Sequence, residues 1–300
     1  MNQAGRRCQA ATVASQRGPA GLEDGVPLTT ATGGHCPIIS LASTKGGVGK
    51  TTLAYVLATE LARRFAAVRP ATGGIACIDA DPNRTLSQVL RLTADPVIAC
   101  IESDGEQLLG DLRSAVARSA LVLIDLEGTA NQAMLYAAGK SDLVLVPAQP
   151  SRFDVVEAIK TIGVVRKAAD LVGRDIAHRV VLSRTPVLRQ RVADHSRAQF
   201  LRAGLPLLPV ELVQRTAFQT MTYTGEPPFR QAGAEAAAEN IARLANEVLN
   251  TLGIMLPEET AVSQPDLPLA REAPAGQPDV PLEDALAGRR PHLRLVETVA

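Results

Sequence analysis

The sequence predicts one doubly wound α/β domain built on a mostly parallel sheet, and three features carry that expectation. Short apolar runs alternate with stretches of helical period. The runs are continuous rather than alternating in polarity, as strands covered on both faces must be. A glycine-rich turn joins the first run to the first helical stretch.

Taken in order, the expected strands are 37–43, 74–79, 120–125, 142–147, 179–183 and 205–210, and the expected helices are 50–68, 105–118, 153–171, 189–203 and 234–252. In the first helix Leu53, Val56, Leu57, Leu61 and Phe65 fall on one face at 3.6-residue spacing. No internal repeat interrupts the pattern. The domain is expected over 37–256, between a Gly/Ala/Thr/Ser-rich leader (1–36) and a Pro-rich acidic tail (257–300), both without the apolar period a packed core requires.

Composition narrows the function. A chain of 300 residues with 46% hydrophobic content can bury a sizeable core. Its 31 basic and 31 acidic residues cancel, so any attraction to nucleic acid or membrane must be local. With no Trp and 3% aromatics, base-stacking platforms and carbohydrate clefts are disfavoured. Cys8, Cys36, Cys77 and Cys100 are scattered without a CxxC pair, which indicates reduced buried thiols rather than zinc or disulfides. Arg6 and Arg7 precede no apolar run of signal length, and no stretch reaches a membrane span, so a cytoplasmic protein is expected.

The chemistry concentrates after the first strand, in Ser43-Thr-Lys-Gly-Gly-Val-Gly-Lys-Thr-Thr52. Glycines at Gly46, Gly47 and Gly49 allow a tight turn that aims backbone N–H groups at phosphate oxygens, and the following helix start adds partial positive charge. Lys50 is placed to reach β and γ phosphates, and the Thr51 hydroxyl to ligate Mg²⁺. Thr44 stands where the general phosphate-loop pattern has its first Gly, and Lys45 follows it.

That extra lysine gives the resemblance. Lys45-Gly-Gly-Val-Gly-Lys-Thr-Thr52 resembles the deviant Walker A loop of ParA, MinD and their relatives. The resemblance implies Mg-ATP binding by Lys45, Gly46, Gly47, Val48, Gly49, Lys50, Thr51 and Thr52. It further implies slow, partner-stimulated ATP hydrolysis and an ATP-bound homodimer in which Lys45 crosses to the partner's nucleotide. It extends over about 38–252.

Asp79-Ala-Asp-Pro-Asn83 is similar to the family's first switch, where Asp81 would orient the attacking water and contact the metal shell. Two carboxylates two residues apart face the same way if the backbone stays extended, while an Asp-Pro turn capping the next helix is the structural alternative. The run 120–125 has Walker B form and makes Asp125 a second metal-shell residue. Relatives often continue with proline; here Leu126-Glu-Gly-Thr-Ala130 follows, so Glu127 either modifies hydrolysis or forms a solvated turn with Gly128. Adenine contacts in relatives correspond to 183–186 and to the segment after Pro209.

Basic residues outnumber acidic ones over 151–230, with Arg184, Arg189, Arg191, Arg197, Arg202 and Arg215 forming the excess. Together with the resemblance they suggest a face for nonspecific duplex DNA, a ParB-like partner, a nucleoid-associated location and a role in partitioning plasmid or chromosomal DNA. The segments 187–191 and 214–221 resemble VirC-type adaptors of conjugative transfer, which would bring a relaxosome-type partner instead. A MinD-like membrane role requires a C-terminal amphipathic helix that 292–300 is too short to provide. An iron–sulfur reductase lacks its second cysteine.

Overall fold

The computed structural model describes residues 35–68, 74–129, 132–188 and 191–256, all within a unit spanning Met1–Pro257. Nearly all of the expected leader and the whole of the expected tail lie outside the described residues. In chain order the elements are β1 (Ile38–Leu41), α1 (Lys50–Val68), β2 (Ile75–Ala80), α2 (Thr85–Thr93), β3 (Ile98–Glu102), α3 (Leu108–Val116), β4 (Leu121–Leu126), α4 (Gln132–Lys140), β5 (Leu143–Ala148), α5 (Arg152–Val172), β6 (Ala177–Thr185), α6 (Arg191–Arg202), β7 (Leu212–Val213), α7 (Ala217–Thr224) and α8 (Glu235–Thr251).

The sheet is parallel throughout in the order β3-β2-β4-β1-β5-β6-β7. β1, β4 and β5 form its centre and are buried along their whole length, which is why their sequences read as unbroken apolar runs. Two apolar clusters sandwich the sheet: Leu53, Leu57, Phe218 and Leu244 on the face of α1, α2, α7 and α8, and Leu112, Ala137, Ile162 and Phe200 on the face of α3 to α6. Helix α1 is buried from Leu53 to Ala62, and even its Tyr55 hydroxyl is satisfied internally, donating to the Gly225 carbonyl at 2.8 Å. Each such large apolar side chain contributes about 1.5–3 kcal/mol on leaving water.

Two expectations need correction. The segment 205–210 forms no strand: Pro206 and Pro209 have no N–H to give a ladder, so it makes a single bridge, Val180 to Leu207, and the edge strand is Leu212–Val213. Cys100 is not buried, because it lies exposed on the edge strand β3 beside the buried Cys77. Among the described residues, no helix is long and apolar enough to cross a membrane.

Candidate functional site

Strand order around β1 sets the location. From β1 the chain turns to one side of the sheet through α1 and later fills the other side through β5 and β6, so the carboxyl ends of β1 and its neighbours open onto a switch point. The loop 42–49 sits there and runs straight into α1. Gly47 and Gly49 adopt φ of 74° and 99°, conformations that side-chain-bearing residues rarely take. Val48 is buried and pins the loop, its carbonyl accepting a 2.6 Å bond from Ser183 Oγ. The Gly47 carbonyl accepts from Gln149 Nε2 at 3.2 Å. With those carbonyls held by neighbouring strand ends, the N–H groups of Gly46, Gly47, Val48 and Gly49 have no acceptor among the described residues. The first turn of α1 contains no acidic residue to neutralise its positive end. This is a cradle for an anion.

A cavity of about 390 Å³ lies over the cradle, and Lys50, Thr51, Asp81, Asn83, Glu127 and Gly128 line it. Burial lowers the Lys50 pKa below its ordinary value, opposed by the fields of Asp125, Asp81 and Glu127. Asp125, at the end of β4, is 1% exposed, and among the described residues only the nearby Thr51 hydroxyl approaches its carboxylate, without good hydrogen-bonding geometry. Burial pushes its carboxyl up to about 7, against the favourable influence of the nearby Thr51 hydroxyl and of Lys50. A buried, unpartnered carboxylate beside a threonine hydroxyl is costly unless a cation completes it, and this donor set suits Mg²⁺. Such an ion would supply charge neutralisation of bound phosphates.

Asp79 and Asp81 part company. The strand ends at Ala80 and the backbone then turns, so Asp79 stays buried and accepts the Ser87 N–H at 2.8 Å near the start of α2. Asp81 alone reaches the cavity, where its Oδ1 accepts from the Asn83 N–H and side-chain amide, both at 2.9 Å. The Asp-Pro alternative accounts for the local turn at Asp81, while the bond to α2 comes from Asp79, and only Asp81 of the two carboxylates lines the cavity.

Gly128 stands directly against the cradle. A Cβ there would lie 3.2 Å from Gly46 Cα, Gly46 N and Lys50 Nζ, so this turn tolerates only glycine without moving the loop. Glu127 is half-buried on the same wall. Ala130 lies outside the described residues.

Lys45 is held within its own chain, its Nζ 3.0 Å from Asp154 Oδ2 in the first turn of α5. Thr44, in the slot of the missing glycine, gives its N–H to Thr161 Oγ1 at 3.1 Å and its hydroxyl to Glu157 Oε2 at 2.7 Å. Hydrogen bonds to Lys160 and Thr44 hold the Glu157 carboxyl below its usual range. Three ties therefore fix the start of the loop to α5.

A second cavity of about 510 Å³ opens beside the first, lined by Ser183, Arg184, Leu212, Gln214, Phe218 and Gln219 among others. The two cavities share Gly49, Thr52 and Arg184. Ser183 falls in the segment expected to touch the base and here braces the loop through the Val48 carbonyl, whereas Gln149, Thr44 and Asp154 join the site without having been expected there as binding residues. Their only signal is positional: each stands at a strand end or helix start flanking β1, where open α/β sheets gather ligands.

The arginines differ in their surroundings. Arg191 and Arg202 are exposed at opposite ends of α6, roughly 16 Å apart by helical rise. Arg197 between them is engaged by Glu211, with Nε at 2.8 Å, and by Asp194 at 3.1 Å. Arg215 lies half-buried before α7 with its Nε unpartnered, and Arg189 lies outside the described residues.

Comparison with known proteins agrees with this architecture. The family model described as VirC1 protein matches residues 36–252. A Protein ParA of Rhizobium radiobacter is 29% identical over 223 residues, covering 72% of this chain and 97% of the relative. Protein virC1 of the same organism is 27% identical over 198 residues, covering 63% and 81%. Among solved structures, the ATP complex of a Cyanothece McdA variant superposes with a TM-score of 0.59 at 19% identity, covering 74% of this chain and 98% of that one. With the loop, the sheet order and the family match in agreement, the chain belongs to the VirC1 family and is a P-loop ATPase of the ParA/MinD type.

Proposed function

We propose that this protein binds Mg-ATP in the cradle, forms a homodimer in the ATP state, and in that state holds duplex DNA nonspecifically to partition or position it. The observation that carries the nucleotide step is the joint presence, around one cavity, of four acceptor-free loop N–H groups, buried Lys50 and unpartnered Asp125. In this reading Lys50 neutralises the β and γ phosphates, Thr51 and Asp125 hold Mg²⁺, and Asp81 contacts the metal shell and orients attacking water. Among the described residues no carboxylate lines the second cavity to accept the N1–H and 2-amino group of guanine, which favours adenine there.

Lys45 acts across the dimer in this account. Its ion pair with Asp154 is then the resting arrangement, exchanged for the partner's nucleotide when two protomers meet. Asp154 also accepts the Gln149 N–H at 3.2 Å, so the exchange leaves a buried carboxylate that still has a partner.

Among the described residues Arg184, Arg191 and Arg202 are the exposed members of the proposed DNA face, whereas Arg197 must first leave Glu211 and Asp194 to join it. Retention on random duplex DNA is expected with ATP and to be lost with ADP. With six phosphate contacts, affinity would fall by about 10³ between 50 and 200 mM salt. Equal weak retention in both nucleotide states would exclude a switched DNA grip. Likeness to a Protein ParA over nearly its full length supports partition with a ParB-like partner. The VirC1 family match supports a second reading, an adaptor that recruits a relaxosome-type complex for DNA transfer. Pull-down with a centromere-binding protein against a relaxase separates the two.

A further inference from the structure

We propose that Arg84 is a positioning residue for hydrolysis: its guanidinium ties the turn that carries Asp81 to the ends of β2 and β3 and so sets where that carboxylate stands. This rests on the role given to Asp81 above. The turn comes first. The Asp81 carbonyl accepts the Arg84 N–H at 3.0 Å, which closes a four-residue turn over 81–84. Asp at the first position and Pro82 at the second are what such a turn favours, and the Asp81 carboxylate accepts the Asn83 N–H inside it. At the fourth position the same turn favours glycine, and the chain has Arg84.

The backbone makes that choice costly. Arg84 has φ of 53° and ψ of 31°, in the left-handed region where a Cβ crowds the following carbonyl. It also stands immediately before α2, where Ser, Thr, Asp or Asn would cap the helix, and its side chain makes no capping bond. Neither the turn nor the helix selects arginine.

The partners of the side chain do. Half-buried, Arg84 reaches back from the turn, and its Nη1 donates to the carbonyls of both Asp79 and Ser103. Asp79 is the last residue but one of β2, Ser103 follows the last residue of β3, and the Ser103 N–H itself donates to the Asp79 carbonyl at 3.0 Å. One guanidinium therefore joins two neighbouring strand ends through charge-assisted bonds, the stronger kind. At the other end of the turn the Asp79 carboxylate accepts the Asp81 N–H at 3.2 Å. The turn is thus fixed to the sheet at its entry and at its exit, with Asp81 and Asn83 lining the phosphate cavity between, while Arg84 is not among the cavity's lining residues. Asp81 makes only local bonds of its own, so its place relative to a bound phosphate depends on these two ties.

Steady-state hydrolysis by the full chain, beside calorimetric ATP affinity, tests this. Arg84→Ala is expected to lower kcat by about ten- to a hundredfold, the scale of a misplacement of about 1 Å, and to leave ATP affinity within about twofold because the cradle is untouched. Arg84→Lys should recover part of the rate, since an ammonium on a long stem can still reach a carbonyl. Arg84→Gly separates positioning from folding. Glycine takes the left-handed conformation freely, so the melting temperature of this variant should match or exceed that of Arg84→Ala while its kcat stays as low. Wild-type kcat in Arg84→Ala would overturn the inference, as would rates that simply follow melting temperature through the series. A fall in ATP affinity matching the fall in rate would also overturn it, by making Arg84 a binding residue. A wild-type chain that neither binds nor hydrolyses ATP would overturn the parent reading, and this one with it.

Discussion

Lys50→Ala is expected to remove ATP binding at accessible concentrations, a loss of roughly 10² to 10³ in affinity, since truncating one member of a buried charged contact costs about 2–5 kcal/mol. The size follows from position. Lys50 is the buried cation of the cavity, with Asp125, Asp81 and Glu127 all close enough to oppose the lowering of its pKa. Without it those carboxylates face the terminal phosphates with no buried cation beside them. Arginine is not expected to rescue, because the Lys50 ammonium already sits 3.2 Å from where a Gly128 side chain would begin, and a planar fork needs more room than a point charge. Titration by fluorescence or calorimetry checks this, with circular dichroism showing that α1 still folds. Retained affinity within threefold would remove Lys50 from the phosphate site.

Asp81→Ala is expected to separate binding from turnover. Asp81 stands past the end of β2, partly exposed on the cavity wall, and its side chain accepts only local bonds from Asn83. Removing it leaves the loop N–H groups and Lys50 untouched, so ATP affinity should hold within a few fold. Loss of water positioning should slow hydrolysis by about 10² to 10⁴. The ATP-bound dimer should then accumulate, visible by analytical ultracentrifugation as a doubling of mass with ATP and none with ADP. A variant that stays monomeric with ATP, or that hydrolyses at the wild-type rate, would contradict the role given to Asp81.

The parts legible in the sequence are those where local chemistry and global burial point the same way. β1, β4 and β5 are central, covered on both faces and continuously apolar, so their runs announce them. The loop 42–49 needs glycine at two positive-φ positions and shows it. The edge strand β3 escapes the pattern because it is only partly covered, and Ile98-Ala-Cys-Ile-Glu102 carries neither a continuous run nor a clean alternation. Helices α2, α4 and α7 span 9, 9 and 8 residues, too short for their period to stand out. Residues 205–210 have the apolar content of a strand, but the two missing proline N–H groups outweigh it.

At the site, the resemblance singles out Asp81, but the bond from Asp79 to α2 could not be read from the sequence, since it depends on where the strand ends. The register shift between Ser183 and Thr185 of β6 is invisible for a similar reason, because it belongs to a pair of strands rather than to either one. The tie between Lys45 and Asp154 joins residues 109 positions apart, and no local pattern encodes it.

The central claim is that the glycine cradle and Asp125 together make one site for a triphosphate and its cation. Calorimetric titration of the wild-type chain with ATP, in excess magnesium and again in EDTA, tests it most directly. Saturable one-to-one binding with magnesium, weakened at least about tenfold without it as the unshielded carboxylates repel the phosphates, is the expected result. No heat of binding with magnesium, or the same affinity in both buffers, would contradict it.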